Sequence, residues 1–418
     1  MMSDPSRPSP HVVPRAAVDR IRATMAVHPV VVVTGARQTG KSTLLAEPLL
    51  AHGRTVLNLD ESEVRRELLA HPDTILGGSG QFVIDEIQRE PELMLALKRA
   101  VDAMGPKREP GKFLVTGSAN LMMMSRVSDS LAGRAGYATL WPLTRREQLG
   151  LGVTGRWTEL LSTPPSAWHA LVEGIPHQAP DWRALVRCGG MPTPTLHLSN
   201  DDARADWYAA YLDTYLDRDL RDLAAIQHIA DFRTLMEAAA GRIGQITDQT
   251  ALGRDAGLQQ QKVRLWLNIL ETSYQLVRIA AYAATTPARL VKSPKLYWAD
   301  VGLGWHLAGA GEPTGFHFEN VVALDLLAWR ALQLRRPEIR HWRTSRQDEV
   351  DFVIEDGRRL LGIEVKTGKR VSLSDATGLI AMSKSYPKQF HGGVILYGGR
   401  DVVPLGGMVT ALPWWSVL

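Results

Sequence analysis

Cysteine is almost absent: Cys188 is the only one in 418 residues. One thiol cannot close an intramolecular disulfide or build a thiolate zinc cage. No two histidines stand at a convincing ligand spacing, so no histidine-based metal motif is expected either. Long apolar runs are missing too. A spanning helix needs about 18 consecutive apolar residues, and no such run occurs, so no membrane partner is expected. The first residues, MMSDPSRPSPHVVPR, contain an acid and four prolines but no apolar stretch, which argues against a signal peptide. Together these features point to the cytoplasm. Neither an internal repeat nor a low-complexity tract is present. Charge of one sign is also scarce, with 48 Lys and Arg against 44 Asp and Glu, a net +4. That balance permits a nucleic-acid partner without requiring one.

What is present is ordinary for a folded chain: 45% hydrophobic and 22% charged residues, which excludes global disorder and a coiled-coil rod. At about 150 residues per domain, the length implies several domains. Residues 1–15 read as a flexible tail. Residues 16–150 alternate short apolar runs (Val30–Val33, Val56–Leu59, Phe82–Ile84, Phe113–Val115) with amphipathic segments, the pattern of a doubly wound parallel α/β sheet. Residues 151–225 read as a Pro- and Gly-rich connector followed by a helix from Asp206, with Tyr208, Tyr211, Leu212 and Tyr215 on one face. Residues 226–308 form a helical, then strand-like unit. Residues 309–418 form a last α/β unit, opened by a Gly-rich hinge and ended by the apolar LPWWSVL.

The sharpest motif is Gly35-Ala-Arg-Gln-Thr-Gly40-Lys41-Ser42, between a strand-like VVVVT and a helical STLLAEPLL. Glycines let backbone N–H groups wrap phosphates, and the following helix start favours negative charge. The expected phosphate contacts are Gly35, Arg37, Gln38, Thr39, Gly40, Lys41, Ser42 and Thr43. Lys41 would reach the β and γ phosphates of ATP, and Ser42 would ligate Mg²⁺. Phe82-Val-Ile-Asp85-Glu86 ends a strand on two acids. Asp85 would hold Mg²⁺, directly or through water, and Glu86 would act as general base. In the next strand, Thr116, Ser118 or Asn120 would sense the γ-phosphate or hold the water. Arg134 would stabilise transition-state charge, in cis or from a neighbouring chain.

GARQTGKSTLL, FVIDEIQ, LVTGSAN and SLAGRA followed by PLTRRE resemble a prokaryotic family of AAA-like P-loop ATPases with a C-terminal domain called DUF4143. CGGMP (Cys188–Pro192) and YLDTYLDRDL (Tyr211–Leu220) are similar to further landmarks of that family. The resemblance implies ATP binding and hydrolysis, a winged helix ahead of the C-terminal domain, and a homo-oligomer as candidate assembly. Residues 246–283 fit the winged helix. A short helix (Gln249–Asp255), a turn at Gly257 and a second helix (Gln259–Glu271) suit a helix-turn-helix. Val263, Trp266, Leu267 and Leu270 would be buried, while Gln259, Gln260, Lys262 and Arg264 could meet a DNA groove. Tyr274–Tyr282 and Lys295–Trp298 would form the wing, with Arg289, Lys292 and Lys295 near phosphates.

A third constellation runs from Glu349-Val-Asp351 through Asp356-Gly357, a hairpin signal, to Glu364-Val-Lys366. Val350, Phe352 and Ile354 are expected on one face with Asp351 on the other. Glu364 and Lys366, two residues apart, project together. The pattern resembles the PD-(D/E)xK nuclease superfamily, a restriction-endonuclease-like α/β fold, with Val350 in place of the signature proline. Asp351, Glu364 and, on the preceding helix, Glu319 would then hold Mg²⁺ or Mn²⁺. Lys366 would activate the water. Three readings follow: an ATPase that acts on DNA with a metal-dependent nuclease domain; an ATP-dependent switch whose nuclease-like domain is inert; and a small-molecule NTP-dependent enzyme indifferent to DNA.

Overall fold

Four consecutive valines open the first strand because both of its faces are covered. In β1 (Val30–Thr34), Val30 and Val32 enter one apolar cluster and Val31 and Val33 another. Alternating side chains buried on both sides leave no polar position, as in parallel sheets generally. The computed structural model describes residues 13–106, 108–117, 131–174, 179–216, 228–283 and 293–418. With β2 (Arg54–Asn58), β3 (Gln81–Asp85), β4 (Phe113–Thr116) and β5 (Ala135–Thr139), β1 forms a parallel sheet ordered β2-β3-β4-β1-β5. Helices α1 (Ala17–Met25) and α2 (Lys41–Leu45) cover one face, and α3 (Leu93–Ala103) the other.

The middle of the chain runs through α4 (Asp201–Thr214), α5 (Ile229–Ala240), α6 (Gln249–Ala256) and α7 (Gln260–Thr272) to an antiparallel hairpin of β6 (Leu276–Ile279) and β7 (Lys295–Trp298). Asp248 caps α6 through the amides of Thr250 and Ala251, and Gly257 ends it at φ 66°. That left-handed residue suits glycine. Val263, Trp266, Leu267 and Leu270 are buried as the spacing predicts, as are Tyr208, Tyr211, Leu212 and Tyr215. Ile246 forms an isolated antiparallel bridge with Lys295.

After α8 (Val301–Leu307) and α9 (Gly315–Leu332), the chain builds a mixed sheet from β8 (Glu338–Arg343), β9 (Glu349–Asp356), β10 (Arg359–Val365), β11 (Phe390–Tyr397), β12 (Val403–Gly406) and β13 (Val409–Pro413), ordered β12-β13-β11-β10-β9-β8. Helix α10 (Thr377–Ser385) packs on β9, β10 and β11. The β9–β10 turn is the two residues Gly357 and Arg358, between the paired Asp356 and Arg359.

Three expectations change. The Pro- and Gly-rich segment after residue 150 is not merely a connector: Trp157, Trp168, Trp182 and Val186 share an apolar cluster with the C-terminal sheet and with Trp414 and Leu418. Each large ring buries on the order of 200 Å², about 5 kcal/mol of apolar burial, so these residues pack with the last sheet, whereas Met191 belongs to the cluster of the helical unit. The tail does not extend to residue 15, because Arg15 is held by Thr39 O (2.8 Å), Trp141 O (2.6 Å) and Glu147 (3.1 Å). Finally, β9 carries a bulge. Arg340 pairs with Val353, but Trp342 pairs with Val350. Asp351 and Phe352 together face a single residue of β8, and Val350 packs in a different cluster from Phe352 and Ile354.

Candidate functional site

The phosphate loop leaves the C-terminal end of β1. Gly35 is obligatory there, since its φ is 148° and a Cβ would meet Leu140 O at 2.3 Å. Gly40 caps α2 in a left-handed conformation, and Gln38 also has positive φ, 59°. The Lys41 ammonium is buried and donates to Gly35 O (3.2 Å) and Ala36 O (2.7 Å). Ser42 and Thr43 are exposed at the first turn of the helix.

Asp85 ends β3 beside the end of β4. The Thr116 hydroxyl donates to Asp85 Oδ1, and the Glu86 amide donates to Thr116 Oγ1 at 3.1 Å. Glu86 takes a left-handed backbone, φ 60°, uncommon for a residue with a side chain. Its Oε2 accepts from the Gln88 amide. Glu86 and Lys41 line the same cavity of about 370 Å³, together with Arg37, Gln38, Gly40, Ser42, Thr43, Pro192, Thr193 and His197. A neighbouring cavity of about 360 Å³ shares Gly40, Thr43, Pro192 and His197, and adds Val13, Arg15, Val18, Leu44, Glu47, Leu143 and Leu196. Thus the phosphate loop, Glu86 and, from the following segment, Pro192, Thr193 and His197 meet. Ser118 and Asn120 lie outside the described residues. Arg134 is not brought to this site: it precedes Ala135, which pairs with Val30 at the opposite end of the sheet, and its guanidinium holds Asp102 at 2.7 and 3.0 Å.

Sequence reasoning missed several residues here. Arg15 ties the phosphate loop to Trp141 and Glu147, and nothing in its proline-rich surroundings signals that. Pro192 was visible as part of CGGMP, without a role. The buried Asp300 holds this segment, accepting from the amides of Gly190 (2.6 Å), Met191 (3.0 Å) and Leu303 (2.8 Å) and from the Tyr208 hydroxyl (2.8 Å). Tyr274, at φ 56°, places its hydroxyl 3.0 Å from that of Thr34, the residue before the phosphate loop.

The C-terminal acids are arranged differently. Lys295, expected near phosphates on the wing, is 2% exposed. Its ammonium lies 2.7 Å from Glu349, 3.0 Å from Glu319 and 3.1 Å from Asp351. An unpaired ammonium in the interior would cost several kcal/mol, which this surrounding offsets. Burial alone would lower its pKa, but Asp351, Glu319 and Glu349 outweigh that and raise it. Burial and then Asp351 push Glu319 up to about 8. The Tyr297 hydroxyl also donates to Glu319. Glu364 is paired with Lys366 at 2.8 Å, while its Oε2 is buried and accepts no hydrogen bond. Burial and then Asp351 push it, too, up to about 8. The Val365 amide donates to Asp351 Oδ2 at 3.0 Å. The expected metal site of Glu319, Asp351 and Glu364 therefore does not fit a divalent ion, because an ammonium group already stands against each of the three carboxyls, Lys295 against Glu319 and Asp351 and Lys366 against Glu364. Among the described residues no group of three or more His, Cys, Asp or Glu could hold a metal ion.

On the wing, Arg289 and Lys292 lie outside the described residues. On α7, Lys262 pairs with Asp231 at 3.0 Å and lies over the Trp266 ring at 4.5 Å. Gln259, Gln260 and Arg264 are exposed.

Comparison with known proteins agrees with the parallel sheet and its loop. Residues 27–149 match the AAA domain family, residues 179–314 a domain of unknown function (DUF8612), and residues 314–417 a second one, DUF4143. These define a P-loop ATPase of the AAA class with a C-terminal DUF4143 domain. The chain belongs to the same family as the uncharacterized protein Rv2008c of Mycobacterium tuberculosis, to which it is 30% identical over 414 residues, 97% of this chain and 84% of that one. The uncharacterized protein Mb2031c of Mycobacterium bovis matches with the same figures. Among solved structures, the Walker-type ATPase PABY2304 of Pyrococcus abyssi is similar at TM-score 0.43 and 14% identity, over 69% of this chain and 94% of that one. The replication initiator DnaA bound to AMPPCP and single-stranded DNA is similar at TM-score 0.31 and 11% identity, over 62% and 88%. Among the described residues no helix is long and apolar enough to cross a membrane.

Proposed function

We propose that the chain is an ATP-hydrolysing switch that acts on DNA through residues 226–308, with the nuclease-like domain serving as scaffold. The observation that carries the switch is the shared wall of the nucleotide cavity. Pro192 and His197, from the segment leading into the helical unit, line the same space as Gly40, Lys41 and Glu86. A ligand bound there would touch both units, so its phosphate content would bias how they sit.

The roles follow from the groups. The Lys41 ammonium donates to Gly35 O and Ala36 O, which holds it at the mouth of the loop, where it would reach a β or γ phosphate oxygen. The amides of Arg37 through Thr43 would cradle the phosphates. Mg²⁺ fits, because such ions are held largely by phosphate and water with one or two protein oxygens. Ser42 is exposed, and Asp85 is bonded by a hydroxyl rather than by a cation. These two residues would hold the ion, directly or through water; when bound, it supplies charge that offsets the phosphates. Glu86 would take the proton of the attacking water, its orientation set by Gln88 and Thr116. Arg134, paired with Asp102 at the far end of the sheet, would act in turnover only from a neighbouring copy of the chain.

The order helix, bridge, helix, helix and hairpin supports a winged-helix reading of residues 226–308. The exposed Gln259, Gln260 and Arg264, at and after the start of α7, suit a groove. Fluorescence anisotropy with a labelled duplex tests this. Affinity should differ at least several-fold between a non-hydrolysable ATP analogue and ADP, and Arg264→Glu should weaken both. Affinity unchanged by nucleotide and by that variant would exclude DNA as the partner.

A further inference from the structure

We infer that Lys295 is the resident cation of the C-terminal domain, its ammonium standing where the nuclease-like fold would otherwise hold a divalent metal. This rests on the reading of that domain as scaffold and supplies its cause. The acids come from two elements: Glu319 from α9, Asp351 and Glu349 from β9. The cation comes from a third, β7, in the preceding helical unit. The β9 bulge sets Asp351 between two partners. One carboxylate oxygen faces Lys295 and the other accepts from the Val365 amide on β10. Glu364, the remaining acid of the signature, has one oxygen on Lys366 and the other buried without a partner. A tethered ammonium satisfies such a cage at no cost in ligand concentration, and it fastens the hairpin to the C-terminal sheet. Removing it exposes oxygen ligands of the hard type that Mg²⁺ and Mn²⁺ prefer.

Mn²⁺ titration of the full chain without nucleotide, followed by loss of the free-ion paramagnetic resonance signal, tests this. The wild type should bind no Mn²⁺ through these acids. Lys295→Ala should bind one equivalent per chain, and Lys295→Ala with Asp351→Asn none. Wild-type binding that Asp351→Asn or Glu364→Gln removes would overturn the inference, as would a folded Lys295→Ala without binding. If Lys295→Ala does not fold, Lys295→Ala with Asp351→Asn should recover folding, and failure to recover also overturns it. ATP turnover in the same preparations reports the nucleotide site separately, so failure of the ATPase reading is distinguishable.

A second observation independently carries a further residue of the ATPase site. We propose that Asp300 is a positioning residue for nucleotide binding. It touches no nucleotide-site cavity itself, but it fixes the amides of Gly190 and Met191 directly before Pro192. The two glycines leave no alternative packing: a Cβ on Gly189 would meet the Tyr208 hydroxyl at 2.3 Å, and one on Gly190 would meet Leu143 O at 2.6 Å. Asp300→Asn keeps the shape and turns an acceptor into a donor facing amides. KM for ATP should rise about tenfold with kcat within twofold. Gly190→Ala, which displaces the same segment from Leu143, should raise KM similarly. Two folded variants with unchanged KM, or an equal loss in kcat, would overturn the assignment. If Asp300→Asn does not fold, Gly190→Ala decides alone.

Discussion

Two pairs of acids stand on or at the ends of strands of two sheets, Asp85 and Glu86 in the first and Asp351 and Glu364 in the second, and their company differs. At the phosphate loop the neighbours are a threonine and a glutamine, which orient the carboxylates without neutralising them. In the C-terminal sheet the neighbours are Lys295 and Lys366, whose ammonium groups stand against the carboxyls themselves. Both arrangements would read alike in a motif search, because each places acids after apolar strand residues. What separates them is where the nearest cation is anchored. Lys41 comes from the phosphate loop itself and donates to the loop carbonyls of Gly35 and Ala36. Lys295 comes from a sequence-distant hairpin and fills the cage.

The largest effects belong to the first pair. Lys41→Ala should abolish ATP turnover, and a coupled-enzyme phosphate assay that finds turnover retained would remove the loop from the reaction. Glu86→Gln should keep ATP affinity while slowing hydrolysis by about 10²- to 10⁴-fold, the range of a positioned general base. Normal hydrolysis by that variant would show that the two acid pairs are equally inert, and the contrast would fail.

The second pair predicts an effect on stability. Glu319 and Glu364 are pushed up to about 8 from an ordinary 4.5. Asp325, buried against Gly155 and Trp157, is pushed up by burial to about 6 from 3.8. Groups raised in the folded state bind protons more tightly there, so their contribution is full below the unfolded values and is lost as pH rises through the folded ones. Stability should therefore fall between about pH 5 and 8, each tenfold difference in proton affinity between the folded and unfolded chain being worth about 1.4 kcal/mol. Lys295, also raised, acts only above its unfolded 10.5, and Glu349, lowered, only below 4.5. Denaturant midpoints at pH 5.5 and 8 check this, and Glu319→Gln should make the fall shallower. Equal slopes would mean that Glu319 is ionised in the cage.

Local patterns carried much of this from the sequence. The valine run, the phosphate loop, the helix ended by Gly257 and the Gly357 turn are each set by residues within a few positions of one another. The C-terminal cage was half legible: Glu364 and Lys366 do meet, because strand period two places them together. Lys295 was assigned to phosphates, since a lysine on a hairpin is usually solvated. Only the tertiary fold brings it to Asp351, 56 positions away. The tryptophans of residues 157–182 were hidden by the prolines around them, which suggest a linker although the rings pack into the last domain. Arg15 and Asp300 act through backbone groups, which leave no signature in side-chain spacing.

The smallest expected effect probes how the helical unit meets the first sheet. Tyr274 stacks edge-on against Trp141 at 6.0 Å and bonds Thr34, one residue before Gly35. Its left-handed backbone places the ring there at the end of α7. Tyr274→Phe removes one hydrogen bond and keeps the ring, a change of about 1 kcal/mol, equivalent to about fivefold in an equilibrium constant. If the contact transmits nucleotide state, ATP affinity should weaken by up to that factor, with the melting temperature falling slightly. A lowered melting temperature with unchanged affinity would make the contact simple packing. The coupling would then rest on Pro192 and His197, where the nucleotide cavity already joins the two units.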